Sequence, residues 1–315
     1  MIYKEVLIFI IGFAVIIKSA DFFTEGAEGI AAAFHIPRLV IGLTIVSLAT
    51  TFPEFTVSSI SSYMGSSGMA IGNALGSCIC NMALILAVAA LISPLRLKSR
   101  SVKPEIIFFI SSVLILYLFI LDGRLARWEG LLLILLLAAF FVFIIKRELK
   151  AREGSDQERL RDINIRACAI KFLAGAAGVV LSAKYAIIPS GINIAHFLGV
   201  PEIVIGLSIV ALGTSLPELA AAGVASFKKM GELAVGNVIG ANILNILWVL
   251  GGASMIRSLN VDFQTLSFTM PVVLLIGALV LLFARSGFRL TRAEGSVLLL
   301  IYAGYIFYIF GFAYS

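Results

Sequence analysis

Two stretches of this chain are copies of each other. GLTIVSLATTFPEF at 42–55 returns as GLSIVALGTSLPEL at 206–219, and each holds one glutamate inside an apolar run. Glu54 and Glu218 are 164 residues apart (218 − 54), and the same offset carries Gly72 and Asn73 onto Gly236 and Asn237, Asn81 onto Asn245, and Pro37 onto Pro201. RLARWEG at 124–130 returns as RLTRAEG at 289–295 with the offset grown to 165 (294 − 129), so one loop has gained a residue. A repeat covering nearly the whole chain indicates internal duplication, and any fold must then be assembled from two like halves.

Those halves belong in a membrane. Hydrophobic residues make up 60% of the chain, charged residues 13%, and mean hydropathy is +1.07; a soluble domain carries about 25% charge. Apolar runs read against Gly, Pro and charged punctuation predict ten helices, over 2–33, 38–63, 68–94, 104–121, 126–146, 166–197, 202–227, 232–256, 267–284 and 291–313. Most approach the ~20 apolar residues needed to cross a hydrocarbon core. The apolar start runs into DFFTEGAEG without a small-residue cleavage site, which argues against a cleaved signal peptide. The one long polar interval, KRELKAREGSDQERLRDINIR at 146–166, reads as a solvated connector. The expected organisation is a first five-helix repeat over 1–146, a linker over 147–165 and a second repeat over 166–315.

Five crossings is an odd number, so the second repeat must enter the membrane from the opposite side and the halves are inverted. With the basic connector in the cytoplasm, Arg96, Lys98, Arg100, Lys103, Lys228, Lys229, Arg285, Arg289 and Arg292 share its side, while Lys4, Arg124, Arg127 and Arg257 face the other. That imbalance predicts a multi-pass protein of the cell membrane with its N-terminus outside. It also accounts for the net charge of +6, so no nucleic-acid partner is implied. Cys78, Cys80 and Cys168 imply no disulfide framework, and His35 and His196 sit near segment ends without metal-spaced partners.

An ionised carboxylate inside a bilayer is costly, so two at equivalent positions mark a functional site. Thr51, Thr50 and Ser47 precede Glu54 by three, four and seven residues and share its helical face. Thr214 and Ser215 repeat that face before Glu218, with Ala211 in place of Ser47. Pro53 and Pro217 each delete a backbone donor beside the glutamate, freeing a carbonyl near Ala49 or Gly213 and kinking or breaking the helix. The next segments add Gly76-Ser77 and Asn81 in one copy, and Gly240-Ala241 and Asn245 in the other, with Asn242 where the first copy has Cys78. Carboxylate, hydroxyl, amide and carbonyl oxygens suit hard cations, Ca²⁺ first with Na⁺ and H⁺ as competitors, and do not suit zinc or copper. One Ca²⁺ balances two glutamates, and so do two protons or two sodium ions, which points to exchange. Lys18, Asp21, Glu25 and Glu28 in the first helix and Lys184 in the sixth are expected to pair locally or to face a water-filled vestibule.

TTFPE and TSLPE, each followed by GN, then Gly-Ser or Gly-Ala, then Asn, resemble the paired α-repeats of the calcium/cation antiporter superfamily, which includes Na⁺/Ca²⁺ and H⁺/Ca²⁺ exchangers. The likeness implies an all-α integral membrane protein of ten transmembrane helices in two inverted five-helix repeats. Its second, third, seventh and eighth helices would be broken around a midplane cation site, and its long first and sixth helices would slide over that core. By position, the resemblance assigns ion contacts to Thr50, Thr51, Glu54, Ser77, Asn81 and the Ser47 carbonyl in the first repeat. In the second it assigns them to Thr214, Ser215, Glu218 and the Ala211 carbonyl. Asn245 stands where sodium-coupled prokaryotic members have aspartate, and Ala241 where they have serine.

Losing a carboxylate and a hydroxyl removes sodium ligands. The expected function is therefore an antiporter exporting Ca²⁺ in exchange for H⁺, with Na⁺/Ca²⁺ exchange as the alternative, which the TSLPE wording favours. A passive cation channel and an intramembrane hydrolase using the carboxylates as acid and base compete with it; the crowd of Thr, Ser and Asn suits ion coordination better than catalysis. No enzymatic activity and no cofactor beyond the transported ions are expected, and the oligomeric state stays open.

Overall fold

A computed structural model of the chain describes residues 2–34, 38–96, 103–152, 164–182, 210–285 and 289–313, with isolated positions between 183 and 209. Helix α1 is Ile2–Ala33, and the second apolar stretch is split into α2, Gly42–Thr50, and α3, Phe52–Tyr63. Helix α4 (Ser67–Ile92), strand β1 (Leu95–Arg96), helix α5 (Lys103–Asp122), strand β2 (Arg124–Leu125) and helix α6 (Arg127–Arg152) follow. The second half holds α7 (Ile165–Ser182), α8 (Ala211–Thr214), α9 (Leu216–Phe227), α10 (Gly231–Ile256), β3 (Leu259–Asn260), α11 (Thr265–Arg285), β4 (Arg289–Leu290) and α12 (Arg292–Gly311). Where both ends are described, the boundaries track the apolar runs closely, except that 38–63 is split at Thr51 and α6 continues past 146 to Arg152; the end expected at 197 and the start expected at 202 lie outside the described helices. His35, His196, Pro37, Pro201, Lys98, Arg100, Lys184 and most of the polar connector lie outside the described residues.

Among the described residues, seven helices are long and apolar enough to cross a bilayer, or eight with α2 and α3 taken as one bent span. Burial sorts them into a centre and a periphery. Helices α10 and α4 are 94% and 78% buried over their apolar windows, against 39% or less for α5, α6, α7, α11 and α12. The peripheral helices present Leu118, Leu173, Leu300 and Phe307 outward, as lipid-facing surfaces do. The two central helices are hydrophobic all round because every side meets protein.

The halves lock together symmetrically. Ser62 Oγ donates to the Ala253 carbonyl at 2.6 Å, and Ser226 Oγ, its equivalent, donates to the Ala89 carbonyl at 2.5 Å. Short antiparallel bridges add to this: β1 pairs with β4 and β2 with β3, each joining one half to the other. A helix of about 30 Å, α5, separates β1 from β2, so the bridges lie at opposite ends of the molecule. The RLARWEG and RLTRAEG copies start α6 and α12 in the same way. Ala126 N–H donates to Glu129 Oε2 at 2.7 Å, and Thr291 N–H to Glu294 Oε2 at 2.8 Å. The second is a full capping box.

Helix α1 packs along α7 through glycines. A methyl group on Gly26 would strike the Phe172 backbone, and one on Gly175 the Phe23 backbone, so small residues let the two helices touch. Phe23 and Phe172 stack beside them with centroids 4.7 Å apart. Lys18, Asp21 and Glu25 of α1 take part in ion pairs, while the Glu28 side chain and Lys184 lie outside what the structure describes. Lys228, just past α9, reaches Asp21 at 2.6 Å and Glu25 at 3.2 Å, and Lys171 reaches Glu25 at 3.0 Å. Partial burial works against the Lys228 ammonium, but its two carboxylate partners outweigh this and hold it above the usual lysine range.

The structure corrects one expectation. The second apolar stretch is bent by 51° at Thr51, and its counterpart leaves the helical path at Ser215. Helices α4 and α10, however, are continuous and not broken. Each widens instead into a π-helical turn, Cys80–Ile85 in α4 and Asn245–Leu250 in α10. No proline interrupts either helix, so the backbone keeps its ladder; Leu86 N–H reaches back five residues to the Asn81 carbonyl.

Candidate cation site

Prolines build the two bends. Pro53 and Pro217 lie in the first turns of α3 and α9, where a missing donor costs least, and the preceding turns end at Thr51 and Ser215. Glu54 and Glu218 therefore open a helix each, in the middle of the molecule, and both are 0% exposed. N-terminal turns with free N–H groups and a positive dipole end make these helix starts tolerable places for carboxylates.

Each carboxylate is held by the other repeat. Thr51 Oγ1 donates to Glu218 Oε1 at 3.1 Å, and Ser215 Oγ donates to Glu54 Oε1 at 3.1 Å. The threonines one residue earlier repeat the exchange. Thr50 Oγ1 donates to Asn237 Oδ1 at 3.2 Å, and Thr214 Oγ1 to Asn73 Oδ1 at 3.0 Å. Two bends from opposite halves thus meet face to face, with four hydroxyls crossing between them.

The other predicted residues fall in the same place. Ser77 Oγ lies 3.4 Å from both the Ala211 carbonyl and Thr214 Oγ1. Asn81 Nδ2 donates to Asn242 Oδ1 at 3.1 Å, and Asn245 is buried at the matching π-helical turn of α10. The Ser47 and Ala211 carbonyls are occupied: the first accepts from Thr51 N–H at 2.9 Å, and the second from Ser215 N–H at 3.0 Å. Asn73, Asn237 and Asn242 join the site although sequence reasoning assigned them no ion contact. The GN pair recurring at the common offset was the signal available for the first two. Asn73 Nδ2 is also used by Ser58 Oγ at 2.9 Å, whereas Ala222 stands at the equivalent position and leaves Asn237 Nδ2 without a partner.

What remains open at the site is four oxygens and the amide nitrogens of Asn237, Asn242 and Asn245. Glu54 Oε2, Glu218 Oε2, Asn81 Oδ1 and Asn245 Oδ1 are buried and have no hydrogen-bond partner. Buried polar atoms are satisfied almost everywhere in proteins, because leaving one bare costs about 1–3 kcal/mol. A group of bare oxygens contributed by both repeats, two of them from carboxylates, is what a desolvated cation would satisfy. Among the described residues no set of three or more His, Cys, Asp and Glu comes together, so the acids number two and the remaining donors are neutral.

The crossed hydrogen bonds can be tested without touching an acid. Thr51→Val and Ser215→Ala each delete one donor to a carboxylate and are expected to cost about 1 kcal/mol apiece, the usual scale for such bonds in membrane proteins. Thermal unfolding in detergent should show two losses of similar size, as the symmetry requires; a loss confined to one variant would contradict the paired arrangement.

Comparison with known proteins agrees with this geometry. The family pattern described as sodium/calcium exchanger protein matches residues 4–146 and 169–311, one block in each half. Sodium/calcium exchanger MaX1 of Methanosarcina acetivorans is 32% identical over 355 aligned positions, covering 98% of this chain and 99% of MaX1. Inner membrane protein YrbG of Escherichia coli is 34% identical over 274, covering 85% of this chain and 84% of YrbG. Among solved structures, the sodium-calcium exchanger NCX_Mj soaked with Na⁺ and Sr²⁺ superposes with a TM-score of 0.85 at 30% identity, covering 97% of this chain and 98% of that one. The family is one of cation exchangers and not of catalysts. The chain belongs to the sodium/calcium exchanger family, within the calcium/cation antiporter superfamily.

Proposed function

We propose that the chain is a secondary antiporter of the cell membrane that exports Ca²⁺ in exchange for H⁺. The single observation that carries the reading is the set of buried, unpartnered oxygens of Glu54, Glu218, Asn81 and Asn245 between the two repeats. Glu54 and Glu218 supply the two negative charges that a divalent ion requires. Thr50, Thr51, Ser77, Thr214 and Ser215 supply hydroxyl oxygens once their protons turn away, and the Ser47 and Ala211 carbonyls, which keep their backbone N–H partners, offer the second lone pair that Thr50 Oγ1 (3.3 Å) and Thr214 Oγ1 (3.1 Å) release on rotating. Two protons restore neutrality when Ca²⁺ leaves, so that the site never crosses the membrane interior with two uncompensated charges. Asn245 and Ala241 supply no third acid and no further hydroxyl, which supports proton over sodium coupling.

In this reading ten crossings form two inverted halves, 1–146 and 166–315, joined by a cytoplasmic linker over 147–165, with the N-terminus outside. The bends at Thr51 and Ser215 hold the glutamates at mid-depth. The bridges β1–β4 and β2–β3 tie the halves at both ends, which favours a cycle in which α1 and α7 slide along a fixed core over one in which the halves rock.

Sodium as the driver is the second reading, favoured by the likeness to MaX1 and NCX_Mj, both named sodium/calcium exchangers. Calcium uptake into proteoliposomes separates the two. An outward proton gradient is expected to drive uptake, and an outward sodium gradient at constant pH is not. Uptake with sodium alone would reassign the counter-ion, and uptake with neither would remove the antiporter.

A further inference from the structure

Arg124, Arg127 and Arg257, with Ser258 and Asn260, line a hollow of about 500 Å³ where β2 pairs with β3. Two of these arginines have a structural duty. Arg124 Nη2 donates to Ser258 Oγ at 3.0 Å, and Arg127 Nη2 donates to the Ile256 carbonyl at 2.9 Å. The repeat reproduces the second contact at the other end of the molecule, where Arg292 Nη2 lies 3.5 Å from the Ile92 carbonyl. Arg257 has no such explanation. Its equivalent by the common offset is Ser93, so the duplication does not demand a charge there (257 − 164). Its guanidinium lies over the turn at Gly65 and makes no hydrogen bond or ion pair among the described residues.

The nearby acids do not neutralise this trio. Asp122 Oδ1 accepts from the Arg124 backbone N–H at 2.9 Å, Glu129 Oε2 from the Ala126 N–H at 2.7 Å and Asp262 Oδ1 from the Thr265 N–H at 2.5 Å. All three carboxylates are turned onto the backbone, and among the described residues no ion pair joins them to the arginines. Three like charges are thus gathered round one hollow, an arrangement that an anion relieves. Planar guanidiniums that offer paired N–H donors fit the oxygens of a phosphate.

The depth of the hollow points to the source of that phosphate. Tyr63, Trp128 and Phe263, two, one and three residues along the chain from Gly65, Arg127 and Asn260, are 79%, 60% and 80% exposed. Exposed aromatic side chains at helix ends mark the headgroup level of a bilayer. We propose that the Arg124–Arg127–Arg257 hollow binds the phosphate of an anionic phospholipid headgroup. The ligand spans both halves and the Gly65 turn between α3 and α4, so it clasps the bent helix carrying Glu54 to the second repeat.

The test is native mass spectrometry of the delipidated full chain, titrated separately with phosphatidylglycerol, phosphatidylcholine and inorganic phosphate. Phosphatidylglycerol should be retained in preference to phosphatidylcholine. Arg257→Gln, which removes no protein hydrogen bond, should weaken phosphatidylglycerol about fivefold, the effect of one basic residue at a membrane surface, and leave phosphatidylcholine unchanged. The triple variant R124Q/R127Q/R257Q should lose the preference altogether, and a thermal melt confirms that it is folded. Undiminished phosphatidylglycerol binding by Arg257→Gln would overturn the site. Tight inorganic phosphate binding that depends on Arg257 and displaces the lipid would overturn its assignment to a headgroup.

Discussion

Glu54→Gln and Glu218→Gln are each expected to lower Ca²⁺ affinity by at least about a hundredfold and to stop exchange. The size follows from charge. A unit negative charge about 4 Å from a divalent ion is worth several kcal/mol even at an effective dielectric of about 20, and 2.7 kcal/mol already corresponds to about a hundredfold. The geometry sharpens the loss. Each carboxylate uses Oε1 to accept from a hydroxyl of the opposite repeat and keeps Oε2 bare. Glutamine preserves the first contact through its carbonyl, which turns an NH₂ group toward the place the ion would occupy. Folding should not suffer, because removing an unpaired buried charge is neutral or stabilising. Isothermal titration with Ca²⁺, ⁴⁵Ca²⁺ uptake and a thermal melt read the three quantities separately. A folded variant of either residue that binds Ca²⁺ within threefold of the wild type would falsify the shared site.

Gly42→Ala is expected to destabilise the protein by about 3 kcal/mol, the upper part of the range for forcing an extra methyl into a packed core, and to abolish exchange with it. A methyl there would sit 2.7 Å from the Leu233 carbonyl oxygen, 2.8 Å from Asn237 N and 3.0 Å from the Gly236 carbonyl carbon. All three are backbone atoms of α10, so no side chain can swing aside. Relief requires α2 and α10 to part, and that pulls Thr50 away from Asn237. Gly304→Ala is the control, since nothing lies within 4 Å of a methyl added there; it should be neutral or slightly stabilising. A thermal midpoint for Gly42→Ala equal to that of Gly304→Ala would show that the close approach is dispensable.

Much of the architecture was readable because hydrophobicity is a local property. The run at 68–94 needs no tertiary information to be recognised, and the helix found there is Ser67–Ile92. The acids were readable because the duplication marks them twice. What could not be read is who touches whom. A constant offset relates Thr51 to Ser215, but Thr51 contacts Glu218, and only the inverted packing of the halves makes that exchange. Asn81 and Asn245 were legible as buried amides, whereas the π-helical turns that aim them carry no proline or glycine at the turn itself. Strands of two residues are too short for any alternating pattern, so β1–β4 and β2–β3 left no trace in the sequence. The close contact of Gly42 on α10 depends on which helix happens to lie opposite.

The crossing hydroxyls stitch the two halves of the chain together, so that neither half completes the buried oxygen cluster by itself. Such a pair can share tasks unevenly. Ser77 reaches across to the carbonyl of Ala211, the residue that lacks the hydroxyl of its counterpart Ser47. Ala241, the counterpart of Ser77, follows Gly240, whose approach brings Ser47 against that helix. The oxygen forfeited by one copy is thus supplied by its twin. Once both copies travel on a single polypeptide, each becomes free to specialise, and the pocket can be retuned for a different ion by editing one side alone.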